Sequence, residues 1–315
     1  MKLNIGFVMD PIESITPYKD SSLAMMLAAQ NKGWTLHYIQ QSGLYLENSQ
    51  VNIDFQPVRV YDDNDHWFDL GEPSTMAASE LDVILMRLDP PFNMEYIYTT
   101  YLLEMIEKQG CLVANKPASL RDANEKLFAT QFPQCCTETL VTRNPTKLRE
   151  FIRQHKDVIL KPLDGMGGQS IFRLTPDDAN LSVILETMVE YAQHTVMAQK
   201  FIPEISEGDK RILVVDGDVI PYTLARIPAK GETRGNLAAG GSGVAMPITE
   251  RENWIANQVS GKLREMGILF AGLDVIGDYL TEINITSPTC IREIDAQFGL
   301  DIAGQLMNCI ERIRC

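Results

Sequence analysis

The sequence has few of the residues that build zinc sites or covalent catalytic centres. Its 315 residues include 6 cysteines and 4 histidines. No two cysteines form a C-x-x-C pair, which argues against a zinc site. None of the histidines lies beside Cys290 or another cysteine in the sequence, and no Ser–His or Cys–His pattern is evident. The sequence therefore argues against a zinc site and against a nucleophilic cysteine.

Long apolar runs and an excess of positive charge are also absent. No apolar run approaches the length of about 20 residues that crosses a bilayer, and residues 1–10 resemble a first strand more than a signal peptide. The chain carries 28 basic and 42 acidic residues, a net charge of −14, which repels nucleic acid and anionic membranes. We expect a cytoplasmic protein with reduced thiols and with no nucleic-acid or membrane partner.

Strands and helices alternate in the first part of the chain. Strands are predicted at 3–9, 34–39, 82–86 and 111–114, and helices at 21–32 and 98–108. This alternation predicts a parallel sheet covered on both faces, with ligands beyond the carboxyl ends of its strands. Those ends carry Asp10, Arg87, Asp89 and the segment 115–117. Residues 47–78 are polar and weakly periodic, and we interpret them as irregular or as an insertion.

The pattern changes near residue 120. We predict a helix over 119–126 with Ser119 as its cap, strands at 157–161 and 195–201 around a helix at 181–193, and a hairpin that joins 210–216 to 219–226. The segment 231–243 contains five glycines. A long glycine-rich loop is usually functional or disordered, and we favour a mobile lid that residues 227–243 form.

A lysine followed by glycines marks a candidate phosphate site. The run KPLDGMGG at 161–168 begins with Lys161 at the end of a predicted strand and includes Gly165, Gly167 and Gly168. Glycine allows backbone N–H groups to approach an anion, and lysine adds a positive charge. The spacing matches neither the P-loop nor G-x-G-x-x-G. The alternative is a tight surface turn with an incidental lysine.

A second predicted hairpin carries candidate metal ligands. Residues 270–276 and 280–284 are predicted to pair around a three-residue loop, which places Asp274 opposite Glu282. Asn284 then shares a face with Glu282. Carboxylate and amide oxygens suit Mg²⁺. A two-residue loop would place Asp274 on the opposite face, and a solvated sheet face is the other alternative.

Basic residues flank these segments. They are Lys210, Arg211, Arg226, Arg234 and Arg292. The arginine fork binds a carboxylate or a phosphoryl group through two hydrogen bonds. The alternative for each is a surface ion pair of little energetic value, and it is weakest for Arg226, which ends an apolar strand.

Taken together, these segments resemble the prokaryotic glutathione synthetase family of the ATP-grasp superfamily. The resemblance covers nearly the whole chain, and the run GETRGN at 231–236 is its most distinctive part. The segments that carry it are 8–11, 20–22, 83–87, 89–92, 115–117, 124–126, 160–168, 209–211, 231–240, 280–284 and 287–292. One departure is Ser242, where a basic residue is expected.

The resemblance implies ATP-dependent ligation of γ-glutamylcysteine and glycine through an acyl phosphate, with glutathione, ADP and phosphate as products. It implies an α/β fold: a Rossmann-like parallel-sheet domain at 1–122, followed by an ATP-grasp fold of two α+β subdomains. These span 123–202, with the phosphate loop, and 203–315, with the lid and metal site. It also implies a homotetramer that uses Mg²⁺, with Mn²⁺ as the alternative.

The resemblance also assigns roles to residues at matching positions. For ATP they are Lys126, Lys161, Gly165, Met166, Gly167, Gly168, Gln199, Lys200, Phe201 and Ile202. For the metal they are Asp274, Glu282 and Asn284. For catalysis they are Arg226, Arg234, Arg211 and Asp209, and for the peptide substrate they are Arg87, Ser287, Thr289 and Arg292.

Three other functions compete with this interpretation. Another ATP-grasp carboxylate–amine ligase, such as a D-alanine–D-alanine ligase, shares the hairpin metal site, but residues 87–92 and 227–243 argue against it. A catalytically silent nucleotide-binding homologue would be expected to lack a metal ligand or the Lys161 loop. A nicotinamide-dependent oxidoreductase needs a glycine fingerprint after the first strand, where Asp10 and Pro11 stand instead.

Overall fold

Three β-sheets organise the computed structural model, which describes residues 2–165, 167–228 and 242–314. Each sheet is built from a successive part of the chain, and helices cover the sheets. The N-terminal part comprises β1 (Asn4–Val8), α1 (Ser21–Asn31), β2 (Thr35–Ile39), β3 (Leu44–Glu47), β4 (Gln50–Val60), β5 (Phe68–Leu70), β6 (Ser74–Ala77), β7 (Val83–Met86), α2 (Met94–Lys108), β8 (Leu112–Ala114) and α3 (Pro117–Asp122).

The predicted parallel arrangement of the first sheet is confirmed. Strands β2, β1, β7 and β8 lie side by side in that order, and each neighbouring pair is parallel. Strand β7 is buried along its whole length, as expected for a strand with helices on both faces. The carboxyl ends of β1 and β7 therefore meet at one edge, and they bring Asp10 close to Asp89, whose backbone N–H donates to the Asp10 carboxylate at 2.9 Å.

The interpretation of residues 47–78 as irregular is wrong. They contain β4, which pairs antiparallel with β2, and β3, β5 and β6 all pair with β4. The inward residues Val51 and Ile53 alternate with exposed ones, but the alternation changes phase before Val58 and Val60. This change of phase, together with one solvated face, gives the strand a weak periodic signal in the sequence.

The predicted helix at 119–126 is wrong at both ends. Helix α3 starts at Pro117, which suits a first helical position because its ring fixes φ and it lacks an N–H group. Ser119 is not the cap: its hydroxyl donates to the backbone carbonyl of Met266. After α3 the Asn124 side chain accepts N–H groups of Lys126 and Leu127, so the chain turns there instead of continuing as a helix.

The second sheet is antiparallel, in the order β11-β10-β12-β9. Its elements are β9 (Thr139–Thr142), α4 (Pro145–His155), β10 (Val158–Pro162), β11 (Phe172–Leu174), α5 (Leu181–Val189) and β12 (Val196–Lys200). Helices α4 and α5 pack on one face through a core that includes Leu148, Leu160 and Leu185. The other face carries the side chains of Ile159 and Lys161, which line a cavity.

The third sheet is also antiparallel, in the order β15-β14-β13-β16-β17. Its elements are β13 (Asp209–Val215), β14 (Asp218–Ile227), β15 (Ser242–Pro247), α6 (Glu250–Glu265), β16 (Phe270–Ile276), β17 (Tyr279–Asn284), α7 (Ile291–Phe298) and α8 (Ile302–Arg314). Both predicted hairpins, β13–β14 and β16–β17, are therefore confirmed. Most of the predicted lid, residues 229–241, lies outside the described residues.

Helix α8 packs on the N-terminal part of the chain. Glu311 on α8 pairs with Lys32 at 2.6 Å, and α8 shares a core with α1 that includes Met26 and Leu306. The last helix thus covers the first sheet, although it follows the third sheet in sequence. Across the described ranges, no helix combines the length and apolarity needed to cross a membrane.

Candidate functional site

A cavity of about 500 Å³ is lined by residues from all three sheets. It gathers every described residue to which the family resemblance assigns a role, with the exception of Arg292. The basic candidate Lys210 also lies outside it and pairs with Glu252 at 2.6 Å. The lining residues predicted from the sequence are Arg87, Lys126, Lys161, Gly165, Gly167, Gly168, Gln199, Lys200, Phe201, Ile202, Asp209, Arg211, Arg226, Asp274, Glu282, Asn284, Ser287 and Thr289. Met166 and Arg234 lie outside the described residues.

The glycine loop follows β10 at one wall of this cavity. Gly165 and Gly167 have φ values of +99° and +67°, which L-residues with a side chain rarely adopt. A Cβ atom at either position would meet open space, so backbone conformation alone, and not crowding, requires glycine here. The Asn124 side chain fixes the loop by donating to the carbonyl of Leu163 at 2.9 Å. The loop can thus turn N–H groups toward an anion.

Two buried lysines converge on one carboxylate beside the loop. Lys126 and Lys161 are only 4% and 5% exposed, and their Nζ atoms lie 3.8 and 3.4 Å from Oε1 of Glu282. Lys126 also pairs with Glu125. Burial opposes the charge of Lys126, but Glu282 and Glu125 outweigh it and raise its pKa. Lys126 therefore stays charged inside the cavity, where polyphosphate oxygens could replace part of the carboxylate.

An apolar slot extends from the loop to the end of β12. Phe201 lines it together with Ile159, Ile171, Ile202 and Ile205. The Arg173 guanidinium stacks 3.6 Å from the centre of the Phe201 ring and fixes its plane. Sequence reasoning missed Ile159, Ile171 and Ile205, and the only signal was that Ile159 alternates with core residues along β10.

Most backbone N–H groups at the end of β12 already donate hydrogen bonds. The N–H groups of Lys200 and Phe201 donate to the carbonyls of Glu138 and Asp157, both at 3.0 Å. The N–H of Ile202 has no hydrogen-bond partner among the described residues. The slot therefore offers one free backbone donor beside a flat apolar surface, which suits a planar heterocycle.

The β16–β17 hairpin brings its acidic residues together by an unexpected route. Its loop holds two residues, Gly277 and Asp278, so the predicted three-residue loop is wrong. The pairing of Asp274 with Glu282 is nevertheless confirmed, because the register shifts between Asp274 and Val275. Thr281 is the extra residue of this bulge. The bulge replaces the missing loop residue and keeps Asp274 opposite Glu282.

Two arginines surround Asp274. Arg211 donates to both of its carboxylate oxygens, at 2.5 and 3.0 Å, and Arg226 lies 3.0 Å from Oδ2. Burial opposes ionisation of Asp274, but the charges of Arg211 and Arg226 outweigh it and hold the pKa well below its usual range. Surface ion pairs are therefore the wrong interpretation for these two arginines.

Asp209 completes the charged network. It is the cross-strand partner of Arg226, which donates to its Oδ2 at 2.5 Å. Its Oδ1 is buried and has no hydrogen-bond partner among the described residues. Burial raises the pKa of Asp209 to about 6, against the opposing charge of Arg226. Arg226 thus bridges two carboxylates and keeps both in place.

The hairpin residues fit a hard divalent cation. Asp274, Glu282 and Asn284 lie on one face toward the cavity, and the Asn284 amide nitrogen donates to Asp274 at 3.2 Å, which leaves its amide oxygen available. Within the described ranges no cluster of three or more His, Cys, Asp or Glu side chains could hold a metal. A cation here would therefore depend on two carboxylates, one amide oxygen and ligand oxygens, a set typical of Mg²⁺.

The N-terminal sheet forms the far wall of the cavity. Arg87 lies there with Ser287 and Thr289, as predicted, but Arg292 does not: it pairs with the exposed Asp62. Arg292 thus forms an ion pair outside the cavity, in which Asp62 is exposed and Arg292 itself is half-buried. Sequence reasoning did not assign the other residues of this wall, which are Ser14, Thr16, Lys19, Asp20 and Ser22.

Cys290 also lines the cavity, and it is not activated. It is buried, and burial raises the pKa of its thiol despite the nearby charges of Arg211 and Arg226. A nucleophilic cysteine needs a lowered pKa. The cavity therefore contains charge-neutralising groups around a hard-cation site, without an activated thiol.

Comparisons with known proteins agree with this geometry. Two family models match: the N-terminal domain of prokaryotic glutathione synthetase over residues 3–121, and the ATP-grasp domain of prokaryotic glutathione synthetase over residues 125–299.

Similar proteins cover nearly the whole chain. A glutathione synthetase of Pseudomonas putida is 61% identical over 312 residues, which cover 99% of this chain and 98% of the relative. One from Vibrio vulnificus is 56% identical over 312 residues, with the same coverage. Among solved structures, the D-cycloserine synthetase DcsG has a TM-score of 0.69 at 12% identity and covers 98% of this chain and 100% of its own. The ATP-grasp ligase PsnB, at 15% identity and a TM-score of 0.65 with 99% of both chains covered, shares the fold as well.

Proposed function

The chain belongs to the prokaryotic glutathione synthetase family, and from this premise we propose which residues of its cavity serve each part of the reaction. The protein is an ATP-dependent ligase that joins γ-glutamylcysteine and glycine to give glutathione, ADP and phosphate. Family membership decides against a D-alanine–D-alanine ligase and an oxidoreductase. The retained metal ligands and Lys161 loop argue against a silent homologue. The observation that carries our assignment of roles is that Lys126, Lys161 and the Asp274–Glu282 pair meet in one cavity.

The nucleotide lies along the second sheet in this proposal. Its base occupies the apolar slot against Phe201, with the Ile202 N–H as a hydrogen-bond donor. Its phosphates extend over Gly165, Gly167 and Gly168 toward Lys126 and Lys161. Gln199 supports the slot, because its amide donates to Thr139 at 3.1 Å. Lys200 contributes its backbone, since its side chain points to Glu138 at the surface.

Asp274, Glu282 and Asn284 would hold Mg²⁺, with Mn²⁺ as the second candidate. Such a cation neutralises charge on the phosphoryl group that is transferred. The chain's own contribution is to keep the Asp274 carboxylate ionised: burial acts against this, but the arginines beside it outweigh burial and lower its pKa. The Thr281 bulge aligns the pair.

Arg211 and Arg226 bind the reacting carboxylate of the dipeptide. In the first step a carboxylate oxygen bonds to the γ-phosphorus and the bond from this phosphorus to the bridging oxygen of ADP breaks. In the second step the glycine amine bonds to the acyl carbon, phosphate leaves, and the amine loses its proton. Both steps spread negative charge over oxygens, which fixed guanidinium groups stabilise. Asp209 positions Arg226, and Arg234 keeps its predicted role from the family resemblance alone.

The domain boundaries at residues 122 and 202 and the homotetramer also remain part of the proposal. An apolar surface on α2 and β3, formed by Met94, Tyr98, Tyr101 and Leu46, is exposed and supports an interface between subunits. Light scattering coupled to size exclusion tests the tetramer. We place the reaction in the cytoplasm, because ATP is supplied there.

The direct test uses purified protein with ATP and Mg²⁺. Phosphate release is measured with γ-glutamylcysteine alone, glycine alone and both together, and the product is identified by mass spectrometry. We expect turnover only with both substrates, and glutathione as the product. Turnover with another amino acid in place of glycine, and none with glycine, would overturn the acceptor assignment.

A further inference from the structure

A buried asparagine outside the cavity joins the first sheet to the third. Asn115 follows β8 directly and is only 6% exposed. Its amide nitrogen donates to the backbone carbonyls of Phe270 and Ile285, both at 2.7 Å. Its amide oxygen accepts the N–H groups of Leu269 and Phe270 at 2.8 and 2.9 Å. A primary amide has two donors and two acceptor sites, and all of them are used here. The side chain is therefore fixed in one orientation.

These hydrogen bonds hold the end of the β16–β17 hairpin that lies opposite its turn. Strand β16 begins at Phe270 and carries Asp274. Strand β17 ends at Asn284, and Ile285 follows it. Asn115 thus contacts both strands of the hairpin that carries the proposed cation ligands, and a shift of its side chain would move both strands.

The same amide also contacts the residue that packs beneath Arg87. Strand β8 pairs in parallel with β7, and Arg87 follows β7 on the far wall of the cavity. The guanidinium carbon of Arg87 lies 5.9 Å from the centre of the Phe270 ring. Phe270 is therefore fixed by Asn115 on its backbone and contacts the peptide wall with its ring. One side chain connects that wall to the metal hairpin.

Further contacts make this joint rigid. The N–H of Lys116 donates to the Gly267 carbonyl at 3.2 Å, and the Ser119 hydroxyl donates to the carbonyl of Met266. Two hydrophobic cores each combine residues of the first and third sheets, whereas the core beneath α4 and α5 contains residues of the second part of the chain. The first and third sheets are thus packed as one body, with Asn115 as a polar connection between them.

We propose that Asn115 is a positioning residue for ligation, which holds the proposed cation ligands at a fixed distance from the wall that binds the dipeptide. This inference rests on the proposed function. The dipeptide carboxylate must meet a phosphoryl group that the cation neutralises, and a misplacement of reacting groups by about 1 Å costs about 100-fold in rate. An amide suits this position, because a carboxylate lacks the two donors and an apolar side chain lacks all four groups.

A pair of matched variants separates positioning from a general loss of stability. Asn115→Asp keeps the size of the side chain but replaces both N–H donors. Gln30→Glu makes the same chemical change at a similar connection outside the cavity, where the Gln30 amide on α1 donates to the Val60 carbonyl at 2.8 Å and accepts the Val60 N–H at 2.9 Å. Each variant leaves a backbone carbonyl without its donor, so both should unfold at lower urea concentration than wild type.

Hydrogen–deuterium exchange without nucleotide or added metal gives the first readout. We expect the amides of β16 and β17 to exchange faster in Asn115→Asp, and those of β10 and β12 to keep the wild-type rate, because local opening reports local restraint. Gln30→Glu should leave both sets of amides unchanged.

Kinetics and nucleotide binding give the second readout. Asn115→Asp should lower kcat about 10-fold or more and raise the Mg²⁺ concentration that gives the half-maximal rate. Its affinity for AMP, measured by calorimetry, should stay nearly unchanged, since the apolar slot lies on the second sheet. Gln30→Glu should keep the wild-type kcat and Mg²⁺ dependence.

The outcomes separate this inference from the function on which it rests. If wild type makes no glutathione, the proposed function fails, and the exchange rates still decide whether Asn115 fixes the hairpin. Wild-type exchange in β16 and β17 of Asn115→Asp, or a wild-type kcat despite lower stability, would overturn the positioning role. An equal loss of AMP affinity would overturn it as well, since the effect would then be general. Asn115→Ser, which leaves room for a water molecule to bond to the freed groups, replaces Asn115→Asp if the latter does not fold.

Discussion

Asp274 and Glu282 face each other across a hairpin whose turn has only two residues. With that turn and a regular ladder, Asp274 would stand opposite Thr281, because side chains alternate with a period of two. The bulge at Thr281 adds one residue to one strand and restores the pair. Arg211 and Arg226 lie on one side of this pair, and Lys126 and Lys161 lie on the other. One local irregularity therefore aligns the two halves of the charged cavity.

Glu282→Gln is expected to lower kcat about 100-fold or more, because the loss of one group that stabilises transition-state charge has an effect of this size. The variant removes a proposed cation ligand and leaves Lys126 and Lys161 without their shared carboxylate. Steady-state kinetics at increasing Mg²⁺ concentration measures the effect. Glu265→Gln, an exposed carboxylate on α6, is the matched control. Near-normal turnover of Glu282→Gln would contradict the placement of the cation.

Arg226→Ala is expected to destabilise the fold as well as to abolish activity. Arg226 bridges the half-buried Asp209 and the buried Asp274, and removing one member of a buried ion pair costs about 3–5 kcal/mol. Urea unfolding followed by circular dichroism gives the change in the free energy of unfolding. Arg264→Ala removes an exposed pair with Asp218 and should cost less than about 1 kcal/mol. Equal losses in the two variants would show that the Arg226 network adds nothing to stability.

Lys161→Met is expected to weaken ATP binding about 10- to 100-fold, the range of one charged hydrogen bond, and to leave AMP binding nearly unchanged. The reason is that Lys161 lies beside the glycine loop, whereas the apolar slot would hold the base. Isothermal titration calorimetry with both nucleotides measures the two affinities. Lys147→Met, on the exposed surface of α4, is the control. A parallel loss of AMP affinity would place Lys161 near the base instead of the terminal phosphates.

His37→Leu is expected to flatten the acid side of the stability profile. His37 on β2 is buried with neither ring nitrogen bonded within the described ranges, and burial lowers its pKa below the ordinary 6.5. The unfolded chain then binds the proton more strongly, so the stability from this group is complete above pH 6.5 and is lost as the pH falls through the lower folded-state pKa. Thermal unfolding between pH 7 and pH 5 measures this.

His66→Leu is the control for that profile, since His66 is exposed and its Nε2 atom lies 3.1 Å from Asp69. Wild type should lose stability on acidification more steeply than His37→Leu. Identical slopes in wild type and His37→Leu would show that His37 makes no contribution to stability between pH 7 and pH 5.

Local chemistry allowed much of the site to be predicted. Lys161 and its glycines stand out because a charged residue followed by glycines has few structural uses, and Asp274 with Glu282 stands out because acids in an apolar hairpin need partners. The N-terminal strands were predictable because they are short, nearly continuous apolar runs that alternate with helices. Strand β4 was not, since its alternation changes phase and its outer face is polar.

The sequence by itself determined the order of elements, the family and the identity of most charged groups in the cavity. Only the tertiary structure decided which groups act together: Thr281 as the bulge, Glu125 beside Lys126, Arg292 paired with Asp62 outside the cavity, and Arg87 buried in its far wall. Spacing along a chain reports local geometry, whereas burial and ion pairing depend on segments that are distant in sequence. The pKa and the charge partners of a residue are therefore set by neighbours that only the fold brings together.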